Sequence, residues 1–168
     1  SAFMRGLGDL TGSHVTTFLR EDFANPTAST FLTTGASSDE ILNYDGFGGE
    51  NLWVQRTQSV ARSGAVLDGD EYVSTRELKS SIYYNDFLQH VDIQHSVGIC
   101  ASLEQNRTVF LTVSRSERRG AYDRENLNLF QRVAPHVVNS LALRVQLEHL
   151  DNQTSKITRQ QRGLFLLD

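Results

Sequence analysis

Hydrophobic and polar positions along this chain follow two periods. Around residues 14–34 and 96–114 apolar and polar residues alternate, the period of two that sends side chains to opposite faces of a strand. His14 to Asp22 (HVTTFLRED) sets Val15, Thr17 and Leu19 against Thr16, Phe18 and Arg20. Ser29 to Thr34 (STFLTT) is a second β-rich run, after an Asn25-Pro26 turn signal and before Gly35, so the two are expected as a hairpin. Ser96 to Glu104 and Thr108 to Ser114 predict the clearest hairpin, turning about Gln105-Asn106-Arg107. In its first strand Val97, Ile99, Ala101 and Leu103 share one face, and Gly98, Cys100 and Ser102 share the other. The second face is small, which leaves room above the sheet for a closely packed helix or a ligand.

Elsewhere apolar residues recur at three and four positions, the spacing of a helix face. The longest such segment lies within Arg115 to Leu150 and turns helical at Asp123, whose carboxylate suits an N-cap, with Glu125 favourable to the helix dipole. One row runs through Leu127, Phe130, Ala134, Val137, Leu141 and Val145, and another through Leu129, Val133, Leu143, Leu147 and Leu150. Either one row faces the domain and the other a partner, or both are core. Pro135 is expected to kink this helix. Ser74 to His90 predicts a second strong helix, opened by a Ser74/Glu77 capping box and striped by Leu78, Ile82, Tyr83, Phe87 and Leu88. Asn51 to Ala61 looks helical with Trp53, Val54 and Val60 inward, and a short helix from Asp39 would carry Ile41, Leu42 and Tyr44. Residues 1–12 read as a helical or irregular lead-in. Val66 and Leu67 read as a short extended piece ending in a turn at Asp68-Gly69-Asp70. This order gives an α+β class: an antiparallel β-sheet flanked by helices, with a long C-terminal helix.

The 168 residues suit one main domain, expected over 1–151, with 152–168 a linker or the start of a following domain. That tail is polar until Gly163–Leu167, which reads as a strand. A net charge of −4 argues against nucleic-acid binding by this chain itself. No run approaches the roughly 20 apolar residues of a membrane helix, so no membrane partner is expected. Cys100, alone, excludes an internal disulfide and fits a reducing cytoplasm.

Catalytic signals are sparse. His90, Asp92 and His95 lack a third strong ligand at metal spacing, so neither metal nor cofactor is expected. Cys100 sits mid-strand, where a thiol behaves as a small hydrophobe. Gly46–Gly49 is not followed by the Lys-Ser/Thr of a phosphate loop. The Arg115–Arg119 cluster (RSERR) suits a solvated turn better than an anion site. The aromatic residues say more. Tyr44, Phe47 and Trp53 cluster in sequence, as do Tyr83, Tyr84 and Phe87. They would either orient a small molecule in a pocket or fill the core between helices and sheet.

Four segments, GGENLWVQR (48–56), SSIYYNDFLQ (80–89), VFLTVSRSERRGAYDRENL (109–127) and APHVVNSLAL (134–143), resemble the N-terminal sensor domains of LuxR-type helix-turn-helix transcriptional regulators. The resemblance covers roughly residues 13–150 and implies a PAS/GAF-like fold. Trp53 matches the family's motif tryptophan and Asn51 the polar residue before it, with Leu52 where proline is usual. Tyr83, Tyr84, Asn85 and Asp86 match a Tyr-Tyr-Asn-Asp run, Arg115 the arginine before the last helix, and Pro135-His136 a Pro-His pair. The spaced Trp-Tyr-Asp set of acyl-homoserine-lactone receptors is incomplete, so quorum sensing is not implied.

What the resemblance implies is a non-enzymatic, cytoplasmic ligand-sensing domain. An unidentified small molecule would meet Trp53, Tyr83, Tyr84, Asn51, Tyr44 and Phe47. A homodimer through the 123–150 helix would pass the signal on, and DNA would be bound only by a C-terminal domain missing from this chain. The rivals are a homodimerisation module with a filled pocket and a small thiol enzyme relying on Cys100.

Overall fold

The structure, a computed structural model, describes residues 2–22, 30–37, 48–104 and 107–143. Five strands form one antiparallel sheet in the order β2-β1-β5-β4-β3. They are β1 (Val15–Asp22), β2 (Thr30–Thr34), β3 (Val66–Asp68), β4 (His95–Glu104) and β5 (Arg107–Arg115). Both expected hairpins are present, and β5 joins them, pairing β1 from Val15↔Ser114 to Asp22↔Arg107. The α+β expectation holds, and the short extended piece at Val66 becomes the edge strand β3.

Alternation in the strands divides the molecule into two cores. Val97 and Ile99 of β4 and Leu111 and Val113 of β5 lie on one face, each at most 1% exposed. The helix α1 (Ala2–Thr11) covers them with Met4 and Leu7, and the helix α5, residues 124–143, covers them with Phe130, Ala134 and Val137. The expected lead-in is thus a regular helix with a core face. The first predicted row of α5 is the buried one. In the second row Val133 is half-buried and Leu143 is 61% exposed. The backbone stays helical through Pro135. Asp123 caps α5 as expected, its Oδ1 accepting the Asn126 N–H at 2.8 Å.

The opposite face is covered by short pieces: α2 (Leu52–Thr57), α3 (Gly69–Tyr72), α4 (Thr75–Lys79) and a π-helical turn, Tyr84–Leu88. Here two expectations need correction. Residues 74–90 are not one helix. Ser74 Oγ accepts the Glu77 N–H at 3.2 Å, but the Glu77 carboxylate goes to Arg56 of α2 instead of closing a capping box. Ser80 and Ser81 then bend their hydroxyls back onto the Glu77 and Leu78 carbonyls, and Ser81 Oγ accepts the Tyr84 N–H. Such local bonds compete with the helical ladder and end it. Past the break the stripe changes direction, and Ile82 is 61% exposed. Likewise α2 stops at Thr57, whose hydroxyl donates to the Trp53 carbonyl, so Val60 points outward at 39% exposed.

The predicted helix near 39–44, the turns at 25–26 and 105–106, the helix beyond 143 and the 152–168 tail lie outside the described residues.

Candidate functional site: a cavity on the open face of the sheet

The small face of β4 forms part of a cavity floor. Ser96 and Gly98 of β4, Thr112, Ser114 and Phe110 of β5, and Thr17 of β1 line it. Cross-strand register sets these residues side by side: Ser96 opposes Ser114, Gly98 opposes Thr112, and Thr17 opposes Thr112. A Cβ at Gly98 would lie 3.3 Å from Thr112 Cγ2, so the missing side chain is what keeps the floor low. The cavity measures about 110 Å³. Its far wall comes from α2 and the π-helical turn: Asn51, Trp53, Val54 and Thr57, then Tyr83, Phe87 and Leu88.

Three rings form the aromatic wall. Trp53 meets Tyr83 edge-on with centroids 6.2 Å apart, and Tyr83 stacks on Phe87 at 5.7 Å. Gly69, the first residue of α3, is a glycine because the indole presses on it: a Cβ there would sit 2.6 Å from Trp53 Nε1 and 2.9 Å from the Ser96 carbonyl oxygen. Asp68 Oδ1 caps α3 by accepting the Asp70 N–H at 3.2 Å, and burial holds the Asp68 carboxyl above the usual carboxylate range. His95 Nδ1 lies 2.7 Å from Asp70 Oδ2, fixing α3 to the start of β4.

The polar groups of the lining are hydroxyls, an amide and an indole. No Asp, Glu, Lys, Arg or His is among the described lining residues. Several hydroxyls are already engaged with each other: Ser114 Oγ donates to Ser96 Oγ at 3.3 Å, and the Thr17 and Thr33 hydroxyls lie 3.1 Å apart. Trp53 Nε1 differs. It is buried and has no hydrogen-bond partner among the described residues. A buried donor without an acceptor costs about 1–3 kcal/mol, and such groups in folded proteins call for an explanation.

Of the six residues expected at the site, Trp53, Tyr83 and Asn51 come together on the cavity wall. Asn51 has a structural duty as well: it caps α2, its Oδ1 accepting the Val54 N–H at 3.2 Å. Tyr84 packs against the core of this face but does not line the cavity. Tyr44 and Phe47 lie outside the described residues. Phe87, grouped from sequence with Tyr83 and Tyr84 as either pocket or core, also lines the cavity; the floor hydroxyls were not singled out, although Thr112 and Ser114 alternate with Val113 as legibly as β4 does. Cys100 is fully buried, off the cavity lining, and burial pushes its thiol up to about 11. His90, Asp92 and His95 do not gather into a metal-sized cluster: no such group of three occurs among the described residues.

No protein-family model matches the sequence, and no curated protein matches it significantly. Solved structures do. The LBD domain of VqsR from Pseudomonas aeruginosa superposes with a TM-score of 0.69 at 19% identity, over 86% of this chain and 84% of that one. The GAF3 domain of Slr1393 from Synechocystis sp. PCC6803 gives 0.56 at 16%, over 89% and 94%. CepR2 from Burkholderia cenocepacia, described as an N-acylhomoserine lactone dependent LuxR family transcription factor, gives 0.51 at 12%, over 81% and 80%. The fold is GAF-like. It is shared with ligand-binding domains of LuxR-type regulators, as the sequence resemblance implied. No helix among the described residues is long and apolar enough to cross a membrane.

Proposed function

We propose that this chain is the ligand-sensing domain of a bacterial transcription regulator and that the cavity between the sheet and α2 is its binding site. The observation that carries this reading is the buried indole N–H of Trp53, a cavity-lining residue, which has no partner among the described residues. A ligand bringing an acceptor there would relieve a buried donor. Because the described lining offers no charged partner, an ionised group would lose its hydration without compensation. The ligand is therefore uncharged, with an apolar body against Tyr83 and Phe87 and an acceptor toward Trp53; Asn51 is its polar neighbour. The fold is shared with the LBD domain of VqsR and with the N-acylhomoserine lactone dependent CepR2, which supports a ligand-binding use.

In this reading binding acts by differential affinity for two arrangements of the helical layer, since a ligand shifts an equilibrium only by that difference. The C-terminal helix pairs with its copy in a homodimer, using the row that leaves Leu143 exposed. DNA is contacted only by a separate domain of a longer protein, and the setting is the cytoplasm. No catalysis is assigned: the lone thiol is buried away from the cavity and its raised pKa disfavours the nucleophilic thiolate.

Thermal unfolding against a library of uncharged metabolites tests the reading. A ligand at a hundredfold excess over its dissociation constant stabilises by about 2.7 kcal/mol. Trp53→Phe, which keeps a ring and removes the N–H, should fold and lose roughly tenfold in affinity. Hits that stabilise the variant as much as the wild type would contradict the assignment. The competing reading, a ligand-free dimerisation module, draws on the exposed Phe3, Leu10 and Leu143 and predicts a flat screen.

A further inference from the structure

Arg115 ends β5, one residue beyond Ser114 on the cavity floor. Its guanidinium reaches the other side of the sheet and holds three separate pieces of chain. Nε donates to the carbonyl of Thr11, the last residue of α1, at 2.9 Å, and Nη2 donates to the same oxygen. Nη1 donates to the Ala121 carbonyl at 3.1 Å. Nη2 also donates to Asn126 Oδ1, in the first turn of α5, at 2.8 Å. The charge lies 4.1 Å over the Tyr122 ring, whose hydroxyl is 2.8 Å from Ser13 Oγ just after α1. A cation at the C-terminal carbonyls of α1 is favoured by the helix dipole. Gly12, at φ 62°, turns the chain in the left-handed conformation that follows α1.

We propose that Arg115 is the positioning residue that couples the cavity to the two helices on the opposite face. A ligand on the floor presses on Ser114 and Ser96, and the backbone of β5 carries any displacement one residue onward. There a rigid fork converts it into a joint movement of the end of α1 and the start of α5. This role rests on the chain being a sensor, and it adds the route by which occupancy of the cavity leaves it.

The test needs no natural ligand, because the cavity can be filled from within. Gly98→Leu places a side chain over the floor, and Thr112→Met does so from the next strand should the first variant fail to fold. Amide hydrogen exchange over residues 8–12 and 124–130 is read in four proteins: wild type, filled, Arg115→Met, and filled with Arg115→Met. Filling should change exchange in both segments by about fivefold or more in the wild-type background, the usual lower range of coupling between sites. With Arg115→Met the change should vanish, and Arg115→Lys, which keeps the charge without the fork, should not restore it. A merely structural arginine would shift exchange in filled and open proteins alike and leave their ratio untouched. Equal effects of filling with and without Arg115 would overturn this role while leaving the sensor reading intact. No effect of filling in the wild-type background would overturn the role and the transmission step of the sensor reading together.

Discussion

The two faces of the sheet are built from alternate residues of the same strands, yet they end in different states. Val97, Ile99, Leu111 and Val113 face α1 and α5 and are closed to water, with Phe130 at 0% exposure among them. Ser96, Gly98, Thr112 and Ser114, their immediate neighbours, face short helical pieces and leave a cavity. One face is covered by a 20-residue helix (124–143) and a 10-residue helix, long enough to present regular apolar stripes. The other is covered by pieces of four to six residues that turn wherever a serine or threonine bonds back to the backbone. Regular coverage packs tightly and gives stability. Irregular coverage leaves room for a cavity.

The largest effect should come from breaking the closed face. Phe130→Ala should cost about 3–5 kcal/mol in chemical denaturation, since a large ring is removed where little can collapse into its place. On the open face Gly69→Ala is the most severe change, at about 1–3 kcal/mol, because its methyl would drive into the Trp53 indole. A shift in tryptophan fluorescence should accompany it, and Trp53 is the only tryptophan in the chain. Asp123→Ala should cost about 1 kcal/mol by removing the cap of α5, with amide exchange rising first at Asn126. Thr112→Val, isosteric but without the hydroxyl, should stay within about 1 kcal/mol in either direction, because the cavity wall asks little of it for stability.

A further effect is confined to high pH. The Cys100 thiol has its folded pKa raised from 9.0 to about 11 by burial. The folded state therefore holds this proton longer than the unfolded state. The associated stability is full below pH 9 and lost as pH rises toward 11. Cys100→Ala should flatten that alkaline decline in a series of denaturation curves.

The same contrast explains what was legible in the sequence. Strands β1, β4 and β5 and the helix from 124 follow single periods over many residues, so alternation and helical spacing locate them. The small face of β4 was visible as glycine, cysteine and serine at every second position. The break at Ser80–Ser81 was not, because a serine hydroxyl serves a helix end or a helix interior equally well until its partner is known. Aromatic clustering and resemblance point to Trp53 and Tyr83, which both line the cavity. Arg115 hid in a basic cluster: Arg118 and Arg119 are exposed as such a cluster suggests, whereas Arg115 is committed to carbonyls distant in sequence. Tyr84 was grouped with Tyr83 by adjacency, but adjacent residues on a helical turn lie about 100° apart and seldom share a pocket.

The most direct test of the account is the indole N–H resonance of Trp53, a single cross-peak in a proton–nitrogen spectrum of the chain. In the free protein it should lie where an indole without a strong acceptor lies. On adding an uncharged hit from the thermal screen it should move downfield and exchange more slowly, as the donor gains its acceptor. A ligand that stabilises the domain while leaving this resonance in place would contradict the claim that Trp53 anchors the site.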